Sequence, residues 1–273
     1  MKIGIIGHGV VGGATATVLG RKHEVRAYDR KPGTWTEPRL IAQEAEIVFF
    51  CLPTPMMRSG QVDLSVLTGE VDRLAGFVLE DRGYPARAPV FVVRSTAVSG
   101  TTRGFAERPP EIRFAFNPEF LTDRNAVEDF AKSDRIIIGT DNKVAETALR
   151  RLYTEAGFSC PIHVTTFEAA EMVKYATNCF LATKVTFANE LYRICEAVGI
   201  PYDEVKSLFS VDARVGPSHL DVPGPDGDFG MGGKCFPKDL NALIHLAQES
   251  GHSPSLLREV WRSNLQWRTK RDW

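Results

Sequence analysis

The stretch KIGIIGHGVVGG, residues 2–13, decides the fold. A short apolar run leads into Gly7, Gly9 and Gly12, spaced G-x-G-x-x-G, and a helical pattern opens with Val10 and Val11. A strand–turn–helix of this kind is a pyrophosphate site. The first glycine allows the tight turn, the second lets backbone approach the phosphates and the third lets helix pack on strand. The helix N-terminus attracts the negative charge. Asp29 ends the next apolar run, HEVRAYD (23–29). A carboxylate there can bind both ribose hydroxyls and repels a 2′-phosphate, so NAD is expected over NADP. Arg30 and Lys31 weigh the other way.

Working outward, AEIVFFCLP (45–53), PVFVVRST (89–96), IRFAFNP (112–118) and RIIIGT (135–140) read as strands, and another follows Cys160. Several are continuous Val, Ile and Phe runs, which suits strands buried on both faces. Between them LSVLTGEVDRLAGFVLE (64–80) and KVAETALRRLYTEAG (143–157) have helical spacing. The alternation predicts a doubly wound, parallel, Rossmann-type α/β domain over residues 1–165. In such sheets ligands bind at the carboxyl ends of strands. That makes Leu52, Pro53 and Thr54 of CLPTP, and Ser95 and Thr96 of RSTAVSGTT, cofactor candidates. Taken singly, each Thr is as readily a cap or turn residue.

The rhythm changes at residues 165–201. Thr165 with Glu168 forms a capping box, and Gly199 with Pro201 a stop signal. The run between them is about 33 residues, roughly 50 Å of helix, too long for a crossover. It predicts the spine of an all-helical second domain, 166–273. A short helix follows at DEVKSLFS (203–210), then a Gly/Pro-rich loop over about 215–234 and two helices over about 237–268.

The formal net charge is −1 and no apolar run approaches a membrane span. Neither nucleic acid nor membrane is therefore an expected partner. The five cysteines are scattered without a CxxC pair. This argues against a disulfide framework or a metal site and fits a reduced, cytoplasmic setting. MKIGIIG enters a strand at once, with no room for a signal peptide. RTKRDW (268–273) reads as a solvated tail.

Two pairs carry candidate chemistry. Lys174 and Asn178 are spaced i, i+4, so they share a helix face. Such pairs are usually solvated, but the neighbours Val173, Ala176, Thr177 and Phe180 are mostly apolar or small. In GMGGKCFPKDL (230–240), Cys235 and Asp239 are also i, i+4 if a helix opens with Pro237 at its first position. A cysteine at a helix N-terminus can act as a thiolate nucleophile, although a lone cysteine is usually a small buried hydrophobe. Gly230, Gly232 and Gly233 imply close backbone approach to something.

GxGxxG with Asp29, CLPTP, STAVSGTT, NPEFLTDRNAVEDF (117–130), EMVKYATNCFLATKVTFANE (171–190), DARVG (212–216) and GMGGKCFPKDL occur in one order. In that order they resemble the UDP-glucose/GDP-mannose dehydrogenase family from residue 1 to about 265. The resemblance implies a four-electron oxidation of a sugar-nucleotide primary alcohol with two NAD, UDP-glucose to UDP-glucuronate being the expected case. Cys235 would carry a thiohemiacetal and then a thioester. Lys174 and Asn178 would stabilise oxyanions, Asp239 would orient water or assist proton transfer, and Thr96 would hold a water. Asp123 would serve thioester hydrolysis. Glu119, Phe120, Leu121, Lys174, Asn178, Phe229, Gly230 and Gly232 would contact substrate. Arg214 would reach toward a neighbouring active site in a homodimer formed through the helical domain.

There are departures from the family. PEFLTD has Asp123 where a Glu is usual, shorter by about 1.3 Å, and Thr122 where an Arg is usual. STAV replaces STVP. The family's third, nucleotide-binding domain has no counterpart in the 273 residues. The loop VPGPDGDFGMGG (222–233) is expected to cover part of that surface. Two alternatives follow: a same-fold dehydrogenase that takes another sugar or stops at the aldehyde, and an NAD-binding half of a split enzyme that needs a separate nucleotide-binding chain.

Overall fold

The structure, a computed structural model, describes residues 1–80, 88–108 and 112–273. Two compact units divide the chain: 1–55 with 63–174, and 56–62 with 175–273.

The first unit is built on a seven-stranded sheet. Its strands are β1 (Lys2–Ile6), β2 (Glu24–Tyr28), β3 (Ile47–Phe50), β4 (Val90–Val93), β5 (Arg113–Phe116), β6 (Ile136–Gly139) and β7 (Ile162–Thr165). Their order is β2-β1-β3-β4-β5-β6-β7. Every pairing is parallel except β5 with β6, which is antiparallel. The sequence predicts parallel strands throughout. A run such as RIIIGT, buried on both faces, has no side-chain period that encodes its direction.

Successive residues of the central strands feed opposite faces. Ile6, Val48, Phe50, Phe91, Val93 and Phe116 enter one apolar cluster, and Ile3, Ile5, Ile47, Phe49, Val90 and Val92 the other. Helices α1 (Val10–Leu19), α2 (Pro38–Glu44), α3 (Ser65–Leu79), α4 (Thr101–Glu107), α5 (Ala126–Ala131) and α6 (Lys143–Glu155) connect the strands. The sequence patterns found α1, α3 and α6. The short α2, α4 and α5 have too few turns to show a period.

Helix α7 runs from Phe167 to Val198. Its cap is Thr166, whose Oγ1 accepts from Ala169 N at 3.2 Å. The Thr165–Glu168 box is therefore displaced. Thr165 is the last residue of β7, paired with Gly139, and Glu168 spends its carboxylate on Arg103 at 2.8 Å. Gly199, at φ +72°, ends the helix in the left-handed region.

The division between units falls inside α7, after Lys174. The second unit adds α8 (Tyr202–Phe209), α9 (Phe236–Glu249) and α10 (Ser255–Trp267). Its core gathers Cys179, Ala182, Met231, Leu240, Ile244 and Val260.

Arg268 and Trp273 anchor the two ends of the last six residues, contrary to their reading as a solvated tail, while residues 269–272 between them are exposed. The Arg268 side chain is 1% exposed and pairs with Asp226 and Asp272. Trp273 packs edge-on against Trp261 at 5.4 Å. Charge density suggested solvation, but the acids that neutralise Arg268 lie on a loop some 40 residues earlier and on the tail itself.

Candidate functional site

In the first unit, the turn after β1 has the shape its sequence predicts. Gly7 sits at φ +91°. A Cβ on Gly12 would overlap the Gly7 carbonyl, while one on Gly9 would meet open space. Gly9 is the N-cap of α1 and no side chain caps that helix, so its first N–H groups are available to an anion. Val10, at the first turn, is exposed, and Val11 is packed on the sheet.

Asp29 stands at the end of β2. Its carboxylate accepts from His8 N at 2.6 Å and Lys31 N at 2.8 Å. Burial opposes the charge, but these N–H groups and the nearby cations hold Asp29 below its ordinary value. Each oxygen keeps a lone pair for a ribose hydroxyl. The glycine turn, the uncapped helix and the ionised, oriented Asp29 together fit an adenine dinucleotide with a free 2′-hydroxyl.

The strand-end loops are tied to one another. Ser95 Oγ accepts from Leu52 N at 2.7 Å and donates to Phe50 O at 3.1 Å. Thr54 Oγ1 donates to Thr96 O at 2.8 Å. Ser95 and Thr54 therefore hold the ends of β3 and β4 in register, which is the turn-forming role open to them in the sequence. Pro53 is exposed beside them.

Lys174 is buried. Its Nζ donates to Glu119 O and Glu119 Oε1, both at 2.8 Å. Leu121 N donates to the other Glu119 oxygen at 2.8 Å. Burial works against the Glu119 charge, but the Lys174 ammonium and the Leu121 N–H hold this carboxyl below its ordinary range. Phe120 lies between cations, with Arg135 at 4.3 Å and Lys174 at 5.7 Å from its ring centre. Asp123 is exposed.

In the second unit, Cys235 is the N-cap of α9. The helix opens at Phe236, so Pro237 takes the second position rather than the first. The i, i+4 relation holds, with Asp239 N donating to Cys235 O at 2.8 Å. Cys235 is exposed, whereas Cys51, Cys179 and Cys195 are buried. Burial pushes the thiols of Cys51 and Cys179 up to about 12, which keeps them protonated and unreactive.

Asp239 is 1% exposed. Asn178 Nδ2 donates to its Oδ2 at 2.6 Å, and Lys238 Nζ pairs with its Oδ1. Nothing in the sequence pattern singles out Lys238; its place beside Asp239 is a signal only once the carboxylate is known to be buried.

Of the three glycines before Cys235, Gly230 and Gly232 approach the protein's own side chains, whereas a Cβ on Gly233 would meet nothing within 4 Å and that glycine is required by its φ of +74° instead. A Cβ on Gly230 would overlap Asn264 Oδ1, and one on Gly232 the Arg268 guanidinium. Met231 N donates to Asn264 Oδ1 at 2.7 Å and Gly230 N to Asn189 Oδ1 at 2.9 Å. Phe229 packs on Tyr192 at 5.7 Å and under Arg193 at 5.5 Å. Loop 222–233 is thus pinned to α7, α10 and the terminal residues. Arg214 is exposed and paired with Asp212.

Two family descriptions match: the NAD binding domain of the UDP-glucose/GDP-mannose dehydrogenase family over residues 33–157, and that family's central domain over 168–266. A UDP-glucose 6-dehydrogenase of Bacillus subtilis is 36% identical over 221 residues, 81% of this chain and 49% of that protein. One from Rickettsia bellii is 35% identical over 231 residues, 82% of this chain and 50% of that one. The chain thus spans about half the length of the curated relatives it matches. Among solved structures, a UDP-glucose dehydrogenase from Pyrobaculum islandicum superposes with a TM-score of 0.84 at 29% identity, covering 97% of this chain and 68% of that one.

Proposed function

The chain belongs to the UDP-glucose/GDP-mannose dehydrogenase family, and on that premise we propose that it oxidises the primary alcohol of a nucleotide sugar to the carboxylate, with UDP-glucose as substrate. The observation that carries the reading is Cys235, an exposed cysteine at the N-cap of α9, one helical turn before a buried carboxylate held by Asn178 and Lys238.

Bound NAD supplies the hydride acceptor, one molecule for each oxidation. The first oxidation leaves an aldehyde. The Cys235 sulfur adds to its carbon, a C–S bond forms and the carbonyl oxygen takes a proton, giving a thiohemiacetal. Loss of hydride from that carbon, and of the hydroxyl proton, gives a thioester. Water then adds, the C–S bond breaks, the acid leaves and the Cys235 thiol is restored. Cys235 is exposed at the start of α9, so its sulfur is accessible to the aldehyde carbon. Holding the aldehyde on sulfur keeps it from escaping between the two oxidations.

Asn178 and Lys174, one turn apart on α7, are assigned to oxyanion stabilisation. The fixed Asp239 carboxylate orients the hydrolytic water. Thr96, Asp123, Glu119, Phe120, Leu121, Phe229, Gly230, Gly232 and Arg214 take their assignments from the motifs they occupy. We place the enzyme in the cytoplasm, as its cysteine pattern suggests. We also place it in a homodimer formed along α7, where Phe180, Phe187 and Ile194 are exposed.

The test counts NADH per UDP-glucose consumed, beside Cys235→Ser. Two NADH per sugar, with the variant stalled, supports the mechanism. NAD binding without NADH formation overturns the reading of this chain as a self-sufficient UDP-glucose oxidoreductase.

A further inference from the structure

Asp29 and Arg30 are adjacent at the end of β2 and have opposite preferences at a ribose 2′ position. A carboxylate takes the free hydroxyl, whereas a guanidinium takes a phosphate in bidentate fashion. The structure shows where Arg30 is directed. Its Nε and Nη2 both donate to Glu70 Oε1, at 3.1 and 2.7 Å. Glu70 projects from α3 and its side chain is 1% exposed, while that of Arg30 is 66% exposed. The other Glu70 oxygen faces Arg73 Nη2 at 2.6 Å. Arg73 in turn lies over the Tyr28 ring at 4.9 Å. A buried acid thus sits between two guanidiniums, one of which, Arg30, directly follows Asp29 in the chain.

We propose that Glu70 is a specificity-determining positioning residue of the nucleotide site: by engaging Arg30 it withdraws that guanidinium from a ribose 2′-phosphate and sets the preference for NAD over NADP. The inference rests on the reading of Gly7, Gly9, Gly12 and Asp29 as the NAD site. Arg30 is exposed enough to move, so its restraint lies on the other partner. Swinging toward a phosphate would leave a buried carboxylate short of one cation, and stranding such a group is costly. Lys31 remains as a solvated point charge, without the planar fork that matches a phosphate.

The test measures dissociation constants for NAD and NADP by calorimetry on the wild type, Glu70→Gln, Arg30→Gln and the double variant. The wild type is expected to favour NAD. Glu70→Gln should leave NAD binding within about threefold and tighten NADP roughly tenfold, as one new charged hydrogen bond would. The double variant should lose that gain, and Arg30→Gln alone should leave NADP binding unchanged. A folded Glu70→Gln protein with an unchanged ratio overturns the proposal. So does a tenfold loss of NADP affinity in Arg30→Gln alone, because Arg30 would then already reach the phosphate. If Glu70→Gln does not fold, the Arg30→Gln arm still decides. A wild type that binds no NAD sinks the nucleotide-site reading itself, whatever the role of Glu70.

Discussion

Asn178 donates to Asp239 across 2.6 Å, and the accepting carboxylate is 1% exposed. The acid belongs to α9 and its donor to α7. Lys238 closes on the other oxygen. The Asp239 backbone N–H meanwhile donates to Cys235 O. One residue thus joins the long helix to the start of the helix that presents the thiol. Packing and chemistry meet in the same side chain.

Removing the donor isolates one buried oxygen. Asn178→Ala should cost about 1–3 kcal/mol, the penalty for an unsatisfied buried acceptor. Asn178→Asp should cost more, because it sets a second carboxylate against the first. Urea unfolding followed by tryptophan fluorescence suits the measurement, since Trp261, Trp267 and Trp273 all lie in the second unit. A loss below about 0.5 kcal/mol for Asn178→Ala would show that the bond is replaced by solvent.

Gly232 and Arg268 are predicted to be coupled. Arg268→Ala removes a buried side chain from Asp226 and should cost about 2–3 kcal/mol. Gly232→Ala drives a Cβ into the guanidinium and should cost at least about 1 kcal/mol. With Arg268 already alanine the clash is gone, so the second change should cost little. A double-mutant cycle that is additive within about 0.5 kcal/mol would reject the contact as the reason for this glycine.

Asp228 gives the tail a pH dependence. Its Oδ1 accepts from Phe229 N, and its Oδ2 from Thr269 N, Thr269 Oγ1 and Lys270 N. Burial opposes the charge, but these donors lower the carboxyl from an ordinary 3.8 to about 2. The folded state therefore binds this proton less readily than the unfolded one. The stabilisation is present above about pH 3.8 and is lost as pH falls through about 2. Asp228→Asn should be less stable than wild type at pH 5, with the gap closing toward pH 2. A gap independent of pH would assign the effect to packing.

What the sequence disclosed was local. Gly7, Gly9 and Gly12 with Asp29, and Cys235 with Asp239, were legible because turn geometry and helical spacing act over a few residues. Arg30 was legible as a cation, but its partner Glu70 lies 40 residues away, and nothing near either residue records the pairing. The same distance hid Arg268, whose acids at 226 and 228 make a buried pivot of what composition alone presents as a basic tail. Thr165 and Thr166 were indistinguishable as caps until the strand register fixed which of them β7 uses.

Phe180, Phe187 and Ile194 follow at intervals of seven on α7 and are 68%, 55% and 53% exposed. Seven residues are close to two turns, so the three side chains form one stripe along the second unit's part of the helix. Apolar side chains aligned this way in water favour association. If the homodimer forms here, Phe187→Lys places a charge in the centre of a two-fold contact, where each copy loses a Phe worth about 1.5–3 kcal/mol of burial. Doubled by symmetry, that weakens dimerisation at least roughly hundredfold. Sedimentation at micromolar concentration should give a dimer for the wild type and a monomer for Phe187→Lys, with the circular dichroism of the two unchanged. A wild type that sediments as a monomer at that concentration rejects the dimer, and a variant that stays dimeric moves the interface off this stripe.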